Sequence, residues 1–241
     1  MSDGWAGPLL GFDTETTGTR AASDRLVQAA LVEQRGHRQH VRTWLADPGI
    51  EIPEAAQRVH GISTEQARRE GRDRAQVIAE VVGYLEKAAR AGVPIVIYNA
   101  RFDLTLIEAE ARRVGVTPLT ERLGALPFII DPLVLDRSLD RWRKGNRQLG
   151  TLADFYDVRV DEALHDAAAD VRQTLAVWDA MCRAHPTLTE QSPTQLMEMQ
   201  ADAHRQWAQS FGDWLRKKGR TPDIGESWPL EDDWENARTS E

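Results

Sequence analysis

Two carboxylates stand two residues apart in Leu9-Leu10-Gly11-Phe12-Asp13-Thr14-Glu15-Thr16-Thr17-Gly18. If this apolar run is a strand, Asp13 and Glu15 project from one face, because strand side chains alternate with period two. Adjacent carboxylates repel, and oxygen-seeking divalent cations such as Mg²⁺ or Mn²⁺ relieve that repulsion. A bare Asp-x-Glu fits a strand end with solvated acids as well, so the pair alone is half of a candidate metal site. Asp103 follows a second apolar run, in Asn99-Ala100-Arg101-Phe102-Asp103. It falls near a strand end and a helix N-terminus, where a third acid would reach the first two or where the helix dipole favours an acid on its own. His165 and Asp170 occur in Ala163-Leu164-His165-Asp166-Ala167-Ala168-Ala169-Asp170-Val171. At about 100° per residue, five positions take them off a common helical face, so His165 is placed in the loop before the helix, folding back over Asp170. A histidine beside acids is a candidate general base, and a helix-start residue is its plainer reading.

The elements that must position these groups are legible in outline. Residues 25–32 and 39–45 read as two strands joined around Gly36, forming an antiparallel meander with the acid-bearing strand. Residues 47–63 are broken by Pro and Gly and read as a loop, in which His60 either faces a substrate or packs the loop. Val77, Ile78, Val81, Leu85 and Ala88 mark one face of a helix over 74–90. Val93-Pro94-Ile95-Val96-Ile97-Tyr98 has the composition of a central buried strand, and a helix over 104–114 follows it. Residues 126–132 form another short strand and 148–156 a short helix. A long helix to residue 184 shows a buried stripe of Leu164, Ala168, Val171, Leu175, Trp178 and Cys182.

Residues 137–147 concentrate five basic side chains around Trp142. Either this is a solvated face, or a nucleic-acid strand lies there with Arg143, Lys144 and Arg147 on phosphates and the aromatic ring available for stacking. From His185-Pro186 onward the character changes. Residues 193–218 read as an extra helix with Leu196, Met199, Ala203, Trp207, Phe211 and Trp214 on one side, followed by an acidic tail. It is an appendage packed on the main domain or a helix for a partner.

Composition bounds the rest. With 241 residues, 41% of them hydrophobic, the chain can build one large core with an extension. The formal charge of −8 excludes binding of nucleic acid by bulk charge, but not by a local basic track. The single cysteine, Cys182, excludes an internal disulfide and a thiolate zinc cluster. No apolar stretch approaches a membrane span and the N-terminus lacks a signal pattern, so a cytoplasmic location and no membrane partner are expected.

Taken together, Asp13-x-Glu15, Asn99-x-x-x-Asp103 and His165-x4-Asp170 resemble the three motifs of the DEDDh-type 3′–5′ exonuclease family, on the side of the proofreading epsilon subunit of bacterial DNA polymerase III. The likeness covers residues 8–184 and includes Val59-His60-Gly61-Ile62-Ser63. Asp166, four before Asp170, stands where tyrosine-type relatives have Tyr. Thr19 replaces a frequent Leu, Gln28 an acid, and Tyr98 a frequent His.

The resemblance implies an α/β, ribonuclease H-like fold with a mixed five-stranded sheet flanked by helices, here as an exonuclease domain over 1–184 and a C-terminal helical extension over 185–241. It implies two Mg²⁺ or Mn²⁺ ions on Asp13, Glu15, Asp103 and Asp170, with His165 as base. The backbone around Thr14, Thr16 and Thr17 would hold the terminal nucleotide, with Asn99 beside it, and Phe102 either packs on its base or sugar or belongs to the core. The expected reaction is release of nucleoside monophosphates from the 3′ end of DNA, preferably single-stranded. Trimming of RNA ends is the nearest alternative. A non-catalytic module bound to a polymerase or sliding clamp is the other, through Gln195-Leu196-Met197-Glu198-Met199.

Overall fold

The computed structural model of this chain describes residues 4–158, 167–232 and 234–236. The chain opens with three strands, β1 (Leu9–Thr16), β2 (Leu26–Arg35) and β3 (Arg38–Leu45), and continues through helices α1 (Glu54–His60), α2 (Thr64–Glu70) and α3 (Arg74–Arg90). Next come β4 (Ile95–Val96), α4 (Ala100–Arg113), α5 (Leu119–Leu123), β5 (Ile129–Ile130), α6 (Pro132–Leu139) and α7 (Leu149–Phe155). The last helices are α8 (Ala167–Ala184), α9 (Thr187–Glu190) and α10 (Pro193–Lys217), with a 3₁₀ turn at Trp234–Asn236. The sheet order is β3-β2-β1-β4-β5, antiparallel from β3 to β1 and parallel from β1 to β5. This is the expected mixed five-stranded sheet with helices on both faces.

Alternation along β1 divides the molecule into two layers. Leu10 and Phe12 join the core beneath α3 and α4, with Val81, Leu104 and Ile107. Leu9 points the other way, into the core beneath α8, with Val171, Leu175 and Trp178. Gly11, Asp13 and Glu15 therefore face α8 as well. A Cβ on Gly11 would lie 3.0 Å from Leu175 Cγ and closer still to Val171 Cγ1, so the missing side chain is what lets α8 press against β1.

The sheet ends abruptly on the side of the site. The apolar runs over 93–98 and 126–132 contribute only two ladder residues each, because the chain leaves the sheet at once. It turns through Asn99, in left-handed conformation (φ 61°), into α4, and through Asp131 into α6. The segment read as a loop contains α1, and the breakers bound it. Pro53 precedes its first turn, and Gly61, with φ 75°, ends it.

The extension departs from its sequence pattern. The side of α10 that is buried is Leu196, Gln200, His204, Ala208 and Gly212, not the aromatic stripe. Gln200 explains the choice. Its amide accepts from Asp131 N–H (2.7 Å) and donates to Ile129 C=O (3.0 Å), pairing with the backbone flanking β5 where a neighbouring strand would otherwise lie. Gln195 is held in a capping box with Ser192, and Leu196 is buried. Among the described residues, no helix is long and apolar enough to cross a membrane.

Candidate active site

Three elements bring the acids together. β1 carries Asp13 and Glu15 on its α8 side, and Asp170 lies in the first turn of α8, next to the Val171 that rests on Gly11. Asp13, Glu15 and Asp170 each offer an oxygen within 4.8 Å of the others. Asp103, in the first turn of α4, approaches from the opposite layer. Thr14, pointing to that layer, donates from its hydroxyl to Asp103 Oδ1 at 2.6 Å.

The electrostatics of this cluster suit a bound cation. Burial raises Asp13 well above the ordinary carboxylate range, and repulsion from Asp103, Glu15 and Asp170 adds to the rise. Burial also pushes Asp103 up to about 7, against the lowering effect of the Thr14 hydrogen bond and with a smaller push from Glu15. Carboxylate oxygens crowded so closely resist simultaneous ionisation unless positive charge lies among them. The donor set is all oxygen, which fits a hard divalent cation such as Mg²⁺ or Mn²⁺.

The remaining expected site residues fall into different places. His165 and Asp166 lie outside the described residues, as does Leu164 of the α8 stripe. The three threonine hydroxyls face inward. Thr16 donates to Gly18 C=O, while Thr17 donates to Asp24 and accepts from Arg25 N–H. They shape the turn and hold Asp103, so any grip on a nucleotide there belongs to the backbone. Asn99 is exposed at the head of α4, and Phe102 is partly buried against the core. His60 is buried and its Nδ1 accepts from Ile62 N–H, so it packs the loop.

In the basic segment, two of the arginines expected on phosphates have partners within the fold. Arg143 (2.6 Å) and Arg147 both pair with the buried Asp136, and Arg147 also donates to Asp140 C=O. Their forks are held by the fold, while Lys144 is exposed.

Asp131 is the residue that sequence reasoning missed. Fully enclosed, it accepts from the backbone N–H groups of Asn99 (3.0 Å), Ala100 (2.9 Å) and Leu133 (3.0 Å), and from Trp228 Nε1 (3.4 Å). One carboxylate thus fixes the start of α4, the start of α6 and the C-terminal tail. Burial raises its pKa against the opposing effect of these donors. The signal was present as Asp-Pro, a helix N-cap followed by Pro at N1.

This fold and this acid cluster together define a ribonuclease H-like nuclease. The family model for exonucleases of the RNase T type matches residues 10–178. The chain belongs to this exonuclease family. It is 28% identical over 177 residues to the PolC-type DNA polymerase III of Caldanaerobacter subterraneus subsp. tengcongensis, covering 73% of this chain and 12% of that protein. It is 30% identical over 182 residues to a DNA polymerase III subunit epsilon-like protein of Rhodobacter capsulatus, covering 73% of this chain and 23% of that one. The chain therefore spans less than a quarter of either relative.

Among solved structures, E. coli exonuclease I in complex with a dT13 oligonucleotide superposes with a TM-score of 0.64 and 23% identity, over 76% of this chain and 43% of that one. The zinc-bound form of its single-stranded DNA complex gives 0.63 and 22%, over 83% and 44%. These likenesses establish the shared fold.

Proposed function

We propose that this chain is a metal-dependent 3′–5′ exonuclease that hydrolyses the terminal phosphodiester of DNA and releases nucleoside monophosphates, with single-stranded ends preferred. The observation that carries this reading is the convergence of Asp13, Glu15 and Asp170 within 4.8 Å, on the fold of a nuclease family. DNA is favoured because both curated relatives are named for DNA polymerase III and the solved neighbours hold DNA strands.

Asp13, Glu15, Asp103 and Asp170 would hold two Mg²⁺ or Mn²⁺ ions. When bound, such ions supply the positive charge that stabilises the attacking and leaving oxygens. The protein's own contributions follow from placement. The turn after β1 presents backbone to the terminal nucleotide, since its threonine hydroxyls are committed inward. His165, just upstream of the helix that delivers Asp170, takes the proton of the attacking water.

Matched 3′-labelled DNA and RNA single strands, incubated with Mg²⁺, Mn²⁺ or EDTA, test the reading. Stepwise mononucleotide release from DNA with either metal and none in EDTA is expected. Faster loss of RNA would overturn the substrate, and inertness of the folded chain in every metal would overturn the activity.

A further inference from the structure

A groove of about 680 Å³ opens between α10 and the segment that follows α6. None of the four clustered acids lines it. Its α10 wall is the aromatic side that the fold leaves outward while burying Gln200 and His204. Trp207, Phe211 and Trp214 form a ladder with successive ring centroids 5.5 Å apart and planes tilted by only 13° and 10°. The Arg137 guanidinium, 3.7 Å from the Trp207 ring, closes the inner end. Trp214, at the outer end, is 48% exposed and Phe211 37%. On the opposite wall Trp142 is 84% exposed, and Arg141 reaches across to Ser210 Oγ at 3.1 Å.

Two features select the occupant. Every exposed Trp or Phe among the described residues lies in this groove or, as Phe155, beneath one of its arginines. Flat apolar rings left in water mark a contact surface. Four arginines line the groove: Arg143 and Arg147 share the buried Asp136, Arg137 stacks on Trp207 and Arg141 is exposed, while the lining carboxylate Asp202 is bridged to Arg205. In a chain of net charge −8 this positive strip is local and not a by-product of composition. Flat rings beside guanidinium groups match a polymer of flat bases on an anionic backbone.

We infer that this groove binds a single-stranded segment of nucleic acid, with bases on Trp214 and Trp142 and phosphates beside Arg141, separately from the acid cluster. The polymer's identity rests on the proposed nuclease activity, but the test does not use the acids.

Fluorescence anisotropy of labelled dT20 and dT3, measured in EDTA on the full chain, compares wild type with Trp142→Ala, with the Phe211→Ala/Trp214→Ala double variant and with Arg141→Ala. Loss of base stacking should weaken dT20 binding by about tenfold in each aromatic variant. Arg141→Ala should lower the slope of log K against log salt by about 0.7. Hydrolysis of dT3 in Mg²⁺ should stay within about twofold of wild type, by the same separation of stacking from chemistry. Thermal melts verify folding, and Trp142→Ala, a change at the surface, decides the matter if the double variant unfolds. Unchanged dT20 affinity would overturn the inference, as would equal losses for dT20 and dT3 or an effect confined to oligomeric state. A wild type that binds dT20 through these rings yet hydrolyses nothing would support the groove and remove the nuclease reading.

Discussion

Thr14 shows how one side chain tunes the site. Its hydroxyl donates to the buried Asp103 and holds down a carboxyl that burial pushes up to about 7. Thr14→Val keeps the shape and removes the donor, so Asp103 titrates higher and activity near neutral pH should fall by about tenfold, the value of a hydrogen bond to a charged group. The sign is fixed by the lost donor. The pH–rate profile of the variant should move upward, and superposable profiles would show that the hydroxyl does not act on Asp103. At His165, proposed above as the general base, substitution should cost about 10²–10⁴-fold in rate while melting is unchanged. Steady-state rates of His165→Ala on labelled DNA measure this, and a wild-type rate would remove the histidine from the mechanism. These acids were legible because β-strand alternation and motif spacing are local properties. Asp131 was not, since the groups it serves come from α4, α6 and the tail, more than 30 residues apart in the chain.

Between elements, the decisive contacts are close approaches. Gly11 lets α8 lie on β1, and that contact is what delivers Asp170 to Asp13 and Glu15. Gly11→Ala should overpack the interface and destabilise the fold by about 1–3 kcal/mol. It should also reduce activity beyond what the lost stability explains, because the displaced helix carries Asp170 of the acid cluster. Urea melts and rates measured on the still-folded fraction separate the two effects. Activity proportional to folded protein would mean that α8 re-seats. Gln200 performs the complementary task at the far edge, satisfying Asp131 N–H and Ile129 C=O next to β5. Gln200→Ala leaves both groups buried and unpaired, with an expected loss of about 2–6 kcal/mol at roughly 1–3 per orphaned group. Differential scanning calorimetry measures it, and a change below 1 kcal/mol would show that the edge has another partner. Periodicity alone did not separate the part of the α10 stripe that packs, Leu196, Met199 and Ala203, from the rings that stay outward, Phe211 and Trp214. The hydrophobic stripe was real, but an unpaired strand edge recruits an amide more strongly than it recruits a ring.

The whole molecule stores electrostatic tension that should appear in its response to pH and metal. Asp13 and Asp103 both have folded-state pKa values raised above the ordinary range. Their contribution to stability is therefore complete below that range and is lost as pH rises through the folded values, about 7 for Asp103. Glu80, lowered to about 2 by hydrogen bonds from Arg72 and Trp44, works in the opposite sense, but its window closes below pH 5. In EDTA the melting temperature should thus fall between pH 6 and pH 8, on the order of 3–5 °C for one to two kcal/mol. Mn²⁺ should raise it more at pH 8 than at pH 6, because the ion binds the ionised carboxylates. A melting temperature independent of both pH and metal would contradict the cation site.

By itself the sequence determined the nature of the site. Residue type and spacing along β1, at the head of α4 and at the start of α8 singled out the acids and carried the family resemblance that implied the fold, with which the strand and helix periods are compatible, because these signals lie within a few residues. Only the tertiary structure decided how those pieces close. It chose the approach of α8 over Gly11, the inward turn of the threonines, the pinning of Arg143 and Arg147 on Asp136, and the outward face of α10. Each depends on burying or pairing a polar group against an element distant in the chain, and local periodicity carries no record of which distant group that is.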